Sequence, residues 1–204
     1  MRWWLLCVVL VPLAAPPAFA CGDGKTLLTD SFDTLQPMWG KADDFMQVAD
    51  GRMVLSEEKG KSYTAYAEPT FDDMDSAPSC GSPRPATKAP LTSAWSSEKD
   101  ANNFYTFQIT PDGSAAVYQM VDNKWQDVIK DRASASIHQG AVRFNELEVV
   151  TRGHLATLII NGDRFDDVAG EEPDGGQHVG FSVQAPDAGD ATFAIDDLLV
   201  TAGK

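Results

Sequence analysis

Apolar residues in this chain recur at every second position in short runs, and no stretch sustains a 3.6-residue apolar period over helical length. In residues 104–110, Tyr105, Phe107 and Ile109 alternate with Phe104, Thr106, Gln108 and Thr110. Pro111-Asp112-Gly113 then forms a turn in which proline fixes φ and glycine supplies a positive one. Residues 116–121 and 125–129 are predicted strands separated by Asp122-Asn123-Lys124. Residues 145–151 place Leu147 and Val149 on one face and Glu146 and Glu148 on the other, and Arg152-Gly153-His154 turns the chain into a strand over 155–160. Asn161-Gly162 is the strongest local signal, since both residues tolerate the positive φ of a type I′ hairpin. Residues 27–32, 53–56, 180–184 and 192–201 complete about ten strands, with Asp50-Gly51 as a further turn. The pattern predicts an all-β, antiparallel β-sandwich.

Two segments break this rhythm. The first twenty residues carry Arg2, an apolar run over 3–14 and Ala18-Phe19-Ala20, a small-residue cleavage pattern. They read as a cleaved signal peptide, and the run is too short to span a bilayer. The expected product is an exported protein, periplasmic or secreted, whose residues 21–204 form one domain with no transmembrane span. The alternative is a lipid anchor on Cys21, the residue that would follow cleavage. The second segment, 71–90, holds Asp72, Asp73, Asp75, Pro78, Pro83, Pro85 and Pro90. That proline density predicts a long loop, because proline cannot donate to a sheet ladder. With Cys7 removed, Cys21 and Cys80 remain in an oxidising compartment and are expected to pair, stabilising the fold by up to about 4 kcal/mol.

Charge narrows the function. Sixteen Lys+Arg against thirty Asp+Glu give a formal charge of −14, which excludes a nucleic-acid partner, since phosphate binding needs clustered cations. Nothing in the composition calls for an oligomer, so a monomer is expected. His138, His154 and His178 each sit beside glycine in predicted turns, without metal-ligand spacing, and no nucleophile elbow or phosphate loop occurs. Glu146 and Glu148 share a strand face with Cβ atoms about 7 Å apart, within range of a catalytic carboxylate pair. The plainer expectation is a solvated outer face. Trp95, Asn102, Asn103, Tyr105 and Gln108 combine rings that can stack on sugars with amides that can bond hydroxyls. Trp125 is expected in the core.

Several segments in order resemble a known superfamily: Leu28-Thr29-Asp30-Ser31-Phe32-Asp33 with Trp39; Val48-Ala49-Asp50-Gly51-Arg52-Met53-Val54-Leu55; Asn102-Asn103-Phe104-Tyr105-Thr106-Phe107-Gln108-Ile109; Lys124-Trp125-Gln126-Asp127-Val128; Asn145-Glu146-Leu147-Glu148-Val149; and Leu158-Ile159-Ile160-Asn161-Gly162. The chain resembles the concanavalin A-like lectin/glucanase superfamily of laminin G-like jelly rolls, and within it bacterial exported domains of the 3-keto-disaccharide hydrolase type. The resemblance implies a jelly roll that binds or cleaves glycans. It also implies a structural Ca²⁺ where first and last strands meet, for which Asp30, Asp33, Asp196 and Asp197 are the expected ligands. The glucanase pattern Glu-x-Asp-x-x-Glu is missing from the sequence. A non-catalytic carbohydrate-binding or structural module of the cell envelope is therefore expected, with a glycan hydrolase as the alternative and Glu146 and Glu148 as its catalytic residues.

Overall fold

A computed structural model gives the fold and describes residues 24–81, 91–97, 103–122, 124–140, 144–170 and 176–203, with the backbone alone at 78–81 and 91–97. Fourteen strands are described: β1 (Thr26–Asp30), β2 (Met46–Ala49), β3 (Arg52–Glu57), β4 (Ser62–Tyr66), β5 (Met74–Gly81), β6 (Leu91–Ser97), β7 (Phe104–Ile109), β8 (Ser114–Val121), β9 (Lys124–Ala133), β10 (Phe144–Arg152), β11 (Leu155–Ile160), β12 (Asp163–Ala169), β13 (Val179–Gln184) and β14 (Ala191–Ala202). One 3-10 turn at Pro37–Trp39 is the sole helical element among the described residues. None is long and apolar enough to cross a membrane.

The strands form two antiparallel sheets. An eight-stranded sheet runs β12-β11-β10-β5-β14-β3-β2, with β1 paired to β14, and a six-stranded sheet runs β4-β13-β6-β7-β8-β9. Period-two alternation is what lets them pack: Met53, Leu55, Leu147, Val149, Leu158, Ile160, Ile195 and Val200 point inward from the larger sheet. They meet Phe107, Ile109, Val117, Val179, Phe181 and Val183 from the smaller one, all at most 4% exposed. The connection after β1 enters this core. Trp39 stacks on Phe181 with ring centroids 5.3 Å apart, and Phe32 lies 5.9 Å from Trp39.

Local turn chemistry sets the hairpins. Asn161 (φ 52°) and Gly162 (φ 85°) form the predicted two-residue connection, with Ile160 opposite Asp163, and Asp50 and Gly51 do the same between β2 and β3.

The predicted loop over 71–90 is corrected. Residues 74–81 are β5, a central strand hydrogen-bonded to both β10 and β14. Pro78 is tolerated because the partner strand bulges: the β14 register shifts between Asp196 and Leu198, and Asp197 takes φ 47°. Residues 82–90 lie outside the description, as do 1–23, so the signal sequence and Cys21 fall beyond it. Cys80 pairs by backbone with Asn145 and Ile195, and its thiol is not described.

Candidate functional site

Two clusters of functional side chains stand on opposite outer faces of the sandwich. The first belongs to the six-stranded sheet. Alternation along β7 sends Phe107 and Ile109 inward, so Phe104, Thr106 and Gln108 occupy the outer face. Register carries that face across β8 and β9: Phe104 pairs with Met120 and Met120 with Trp125, while Thr106 pairs with Tyr118 and Tyr118 with Asp127. The result is an aromatic corner. Trp125 meets Phe104 edge-to-face at 5.5 Å and 80°, and Tyr118 at 6.4 Å and 80°.

Trp125 is 39% exposed, which corrects the expectation of a core indole. The physical reason is topological: β9 is the sheet edge, and its residues are exposed on both faces apart from the partly covered Ile129. Carboxylates border the rings. The Tyr118 hydroxyl donates to Asp131 at 3.5 Å, and Asp127 faces it across the ladder. The phenol is held above its ordinary pKa by burial, then by the charges of Asp131 and Asp127.

Of the five residues predicted to bind a ligand, Asn103 borders this corner, its side-chain oxygen accepting the Asp122 N–H at 3.4 Å. Tyr105 packs partly buried against the core instead, and Gln108 is 5% exposed, its amide donating to the Thr106 hydroxyl at 3.2 Å. Trp95 pairs by backbone with Tyr105 and Val179. Its side chain, and Asn102 entirely, lie outside the described residues.

The second cluster is on the larger sheet. Leu147 and Val149 face the core, so Glu146 and Glu148 face outward, as the alternation predicts. The expected solvation is overturned: Glu148 is 4% exposed and Asp75 6%. Strand β10 lies inside the sheet between β5 and β11, so Glu148 is enclosed by neighbours such as Ile159 directly across. Its carboxyl is pushed up to about 8 by burial, then by the Asp75 charge and a hydrogen bond to Asp75, with Glu146 adding to it. Glu146 is raised by burial and by Asp75. With its carboxyl raised to about 8, Glu148 keeps its proton at neutral pH and is hydrogen-bonded to Asp75 on this surface.

Of the four aspartates expected to hold calcium, Asp197 is raised by burial and then by the charges of Asp196 and Asp33, and the other three each have a partner of their own. Asp30 accepts the Phe32 N–H at 2.9 Å and the Trp39 indole N–H at 2.8 Å. Asp33 accepts the Ser31 hydroxyl at 2.8 Å, and Asp196 pairs with Arg52 at 3.1 Å. Asp30 and Asp197 do line a common cavity of about 390 Å³, with Gln36, Ala77 and Leu199 among its walls. Among the described residues, no three His, Cys, Asp or Glu side chains are grouped so as to hold a metal ion. The four aspartates do not fit a calcium site as a set.

The histidines differ as well. His178, expected in a solvated turn, is 5% exposed, with Nδ1 2.8 Å from the Ala67 carbonyl and its ring 5.4 Å from Tyr66. His138 and His154 are exposed.

No family model matches the sequence. No curated protein matches it. Solved structures do. A carbohydrate-binding module, CBM66 from Bacillus subtilis, is 11% identical, with a TM-score of 0.59 over 74% of this chain and 86% of that one. The β-glucanase of Bacillus licheniformis is 9% identical, with a TM-score of 0.62 over 90% of this chain and all of the other. The Emp46p carbohydrate recognition domain in its metal-free form is 13% identical, with a TM-score of 0.60 over 87% and 100%. At such identities the likeness concerns architecture, and with the two antiparallel sheets described above it supports one conclusion: this chain has the concanavalin A-like lectin/glucanase jelly-roll fold.

Proposed function

We propose that this protein is an exported carbohydrate-binding module that holds glycans through the Phe104–Tyr118–Trp125 corner and does not cleave them. The carrying observation is the 39% exposed Trp125 indole, braced by two rings on an outer sheet face beside Asp127 and Asp131. Sugar rings present apolar C–H faces that stack on such an indole, while carboxylates and amides at the rim accept or donate to hydroxyls. On that face β7 offers Phe104, Thr106 and Gln108, so its central strand carries no acid or nucleophile for glycosidic chemistry. The similar folds whose names mention carbohydrate binding or glucanase activity favour a glycan as the ligand.

Trp125→Ala is expected to abolish binding on a glycan array and in calorimetry. It should lower stability by only about 1–2 kcal/mol, less than the 3–5 typical of a buried aromatic. One exposed indole implies affinities in the micromolar to millimolar range. Binding retained by Trp125→Ala would move the site away from this corner.

The hydrolase reading draws on one observation, the perturbed Glu148 carboxyl beside Asp75. Those groups are enclosed on the opposite sheet, where a saccharide could not reach them without displacing the strand surface. Sugar release that is lost in Glu148→Gln would establish that reading.

A further inference from the structure

We infer that the aromatic corner selects glycans carrying free amino groups, that is, oligomers of a 2-amino-2-deoxy sugar, over their neutral or N-acetylated counterparts. The inference rests on the carbohydrate-binding reading above and concerns what that site prefers. Three observations on one patch carry it. The buried Phe104 and the part-buried Tyr118 both pack at 80° against Trp125, whose indole is 39% exposed and is the ring a ligand can reach. Two carboxylates lie at the same corner, Asp127 directly across the ladder from Tyr118 and Asp131 within hydrogen-bond reach of its hydroxyl. Both belong to an edge strand exposed along almost its whole length, so a ligand meets them without displacing protein.

An ammonium group is favoured by each feature. The face of an indole or phenol attracts a cation electrostatically, and an exposed carboxylate adds a charge-assisted hydrogen bond. A neutral hydroxyl gains only the ordinary hydrogen bond, and an acetamide removes the charge altogether. Two of the three cations on the same strand are turned or tied away from this field. Arg132 is committed to Asp166 at 2.7 Å and to the Phe165 carbonyl. Lys124 neighbours Trp125, so strand alternation turns it to the other face, leaving Lys130 as the remaining cation of β9. The charge of −14 over the whole chain further steers a polycationic glycan toward the surface.

The test is calorimetric titration of the purified chain with three probes at mildly acidic pH: a glucosamine hexamer, an N-acetylglucosamine hexamer and spermidine. The amino hexamer is expected to bind about tenfold more tightly than the acetylated one, from a cation–π contact and two exposed ion pairs acting together. In an Asp127→Asn/Asp131→Asn variant that preference should fall to about twofold, because the amino hexamer loses its ion pairs while both hexamers keep the indole contact. Equal affinity for the two hexamers would overturn the amine preference and leave the carbohydrate-binding reading standing. Failure of both hexamers to bind would overturn the inference, and failure of every glycan on the array would overturn the carbohydrate-binding reading as well. Spermidine binding as tightly as the amino hexamer would overturn the inference differently, by showing a cation site with no use for the sugar ring.

Discussion

Replacing Glu148 by Gln is expected to make the protein more stable at neutral and alkaline pH, the reverse of what losing a buried charged residue usually does. The folded protein holds the Glu148 carboxyl at about 8 against an ordinary value of 4.5, so between those limits the native state binds a proton that the unfolded chain has released. Stability therefore falls as pH rises through that window, and the deficit is complete above about pH 8. The same direction follows for Glu146, also raised by burial and by Asp75. Each pKa unit is worth about 1.4 kcal/mol, so the wild-type decline is on the order of a few kcal/mol, shared within a strongly interacting pair.

Glutamine has the shape of protonated glutamate, and its amide can donate to Asp75 at every pH. Urea denaturation between about pH 5 and 9 should show a falling curve for the wild type and a shallower one for Glu148→Gln, in which Glu146 still contributes a decline, the two separating steadily toward high pH. Two parallel curves would mean that Glu148 ionises like an exposed glutamate, which its 4% exposure argues against. The variant should bind saccharides normally, since the aromatic corner is on the other sheet.

Asp30→Ala should be the most damaging single substitution of an acidic residue. Its two carboxylate oxygens accept the Phe32 backbone N–H and the Trp39 indole N–H, and Asp30 itself is 6% exposed. Removing the side chain strands two buried donors, each costing about 1–3 kcal/mol, for a loss of about 2–6 kcal/mol. The first bond also holds Phe32 at φ 51°, a conformation that bulky residues rarely adopt, where its ring packs on Trp39 and Phe181. Asp30→Asn keeps one acceptor oxygen and should lose about half as much. Because these bonds need no metal, the loss measured by urea denaturation should be the same in calcium and in chelator. A loss confined to calcium-containing buffer would show that Asp30 works through a cation after all.

What was readable in the sequence depended on how locally each feature is determined. The β11–β12 hairpin is written in two adjacent residues, Asn161 and Gly162, and it forms where predicted. Strand alternation likewise placed Leu147 and Val149 in the core. β5 was illegible because its strand character depends on a partner more than a hundred residues away, whose bulge at Asp197 makes room for Pro78. Alternation could put Glu148 on an outer face. It could not reveal that β10 lies between β5 and β11, where that face is enclosed. The site fared similarly. Asn103 borders the corner simply because it adjoins Phe104, whereas Trp125 is exposed against expectation because an apolar residue on an edge strand shows the same local pattern as one in a central strand. The signal available was the charge of the surrounding strand, Lys124, Asp127, Lys130, Asp131 and Arg132, which marks an edge exposed on both faces.

The position of β14 bears on the order in which the molecule can be assembled. The last strand of the chain hydrogen-bonds to β5 along one side, and on the other to β3 in its first half and β1 in its second. A ribosome delivering the chain from its N-terminus thus exposes β1, β3 and β5 with an empty lane between them, and their apolar inner faces wait until residues 191–202 emerge. Local hairpins such as β2–β3 and β11–β12 can close early, but the larger sheet becomes continuous only once residues 191–202 are available to it. A chain lacking residues 191–202 would therefore present the open edges of β5, β3 and β1 to any chaperone or neighbouring chain.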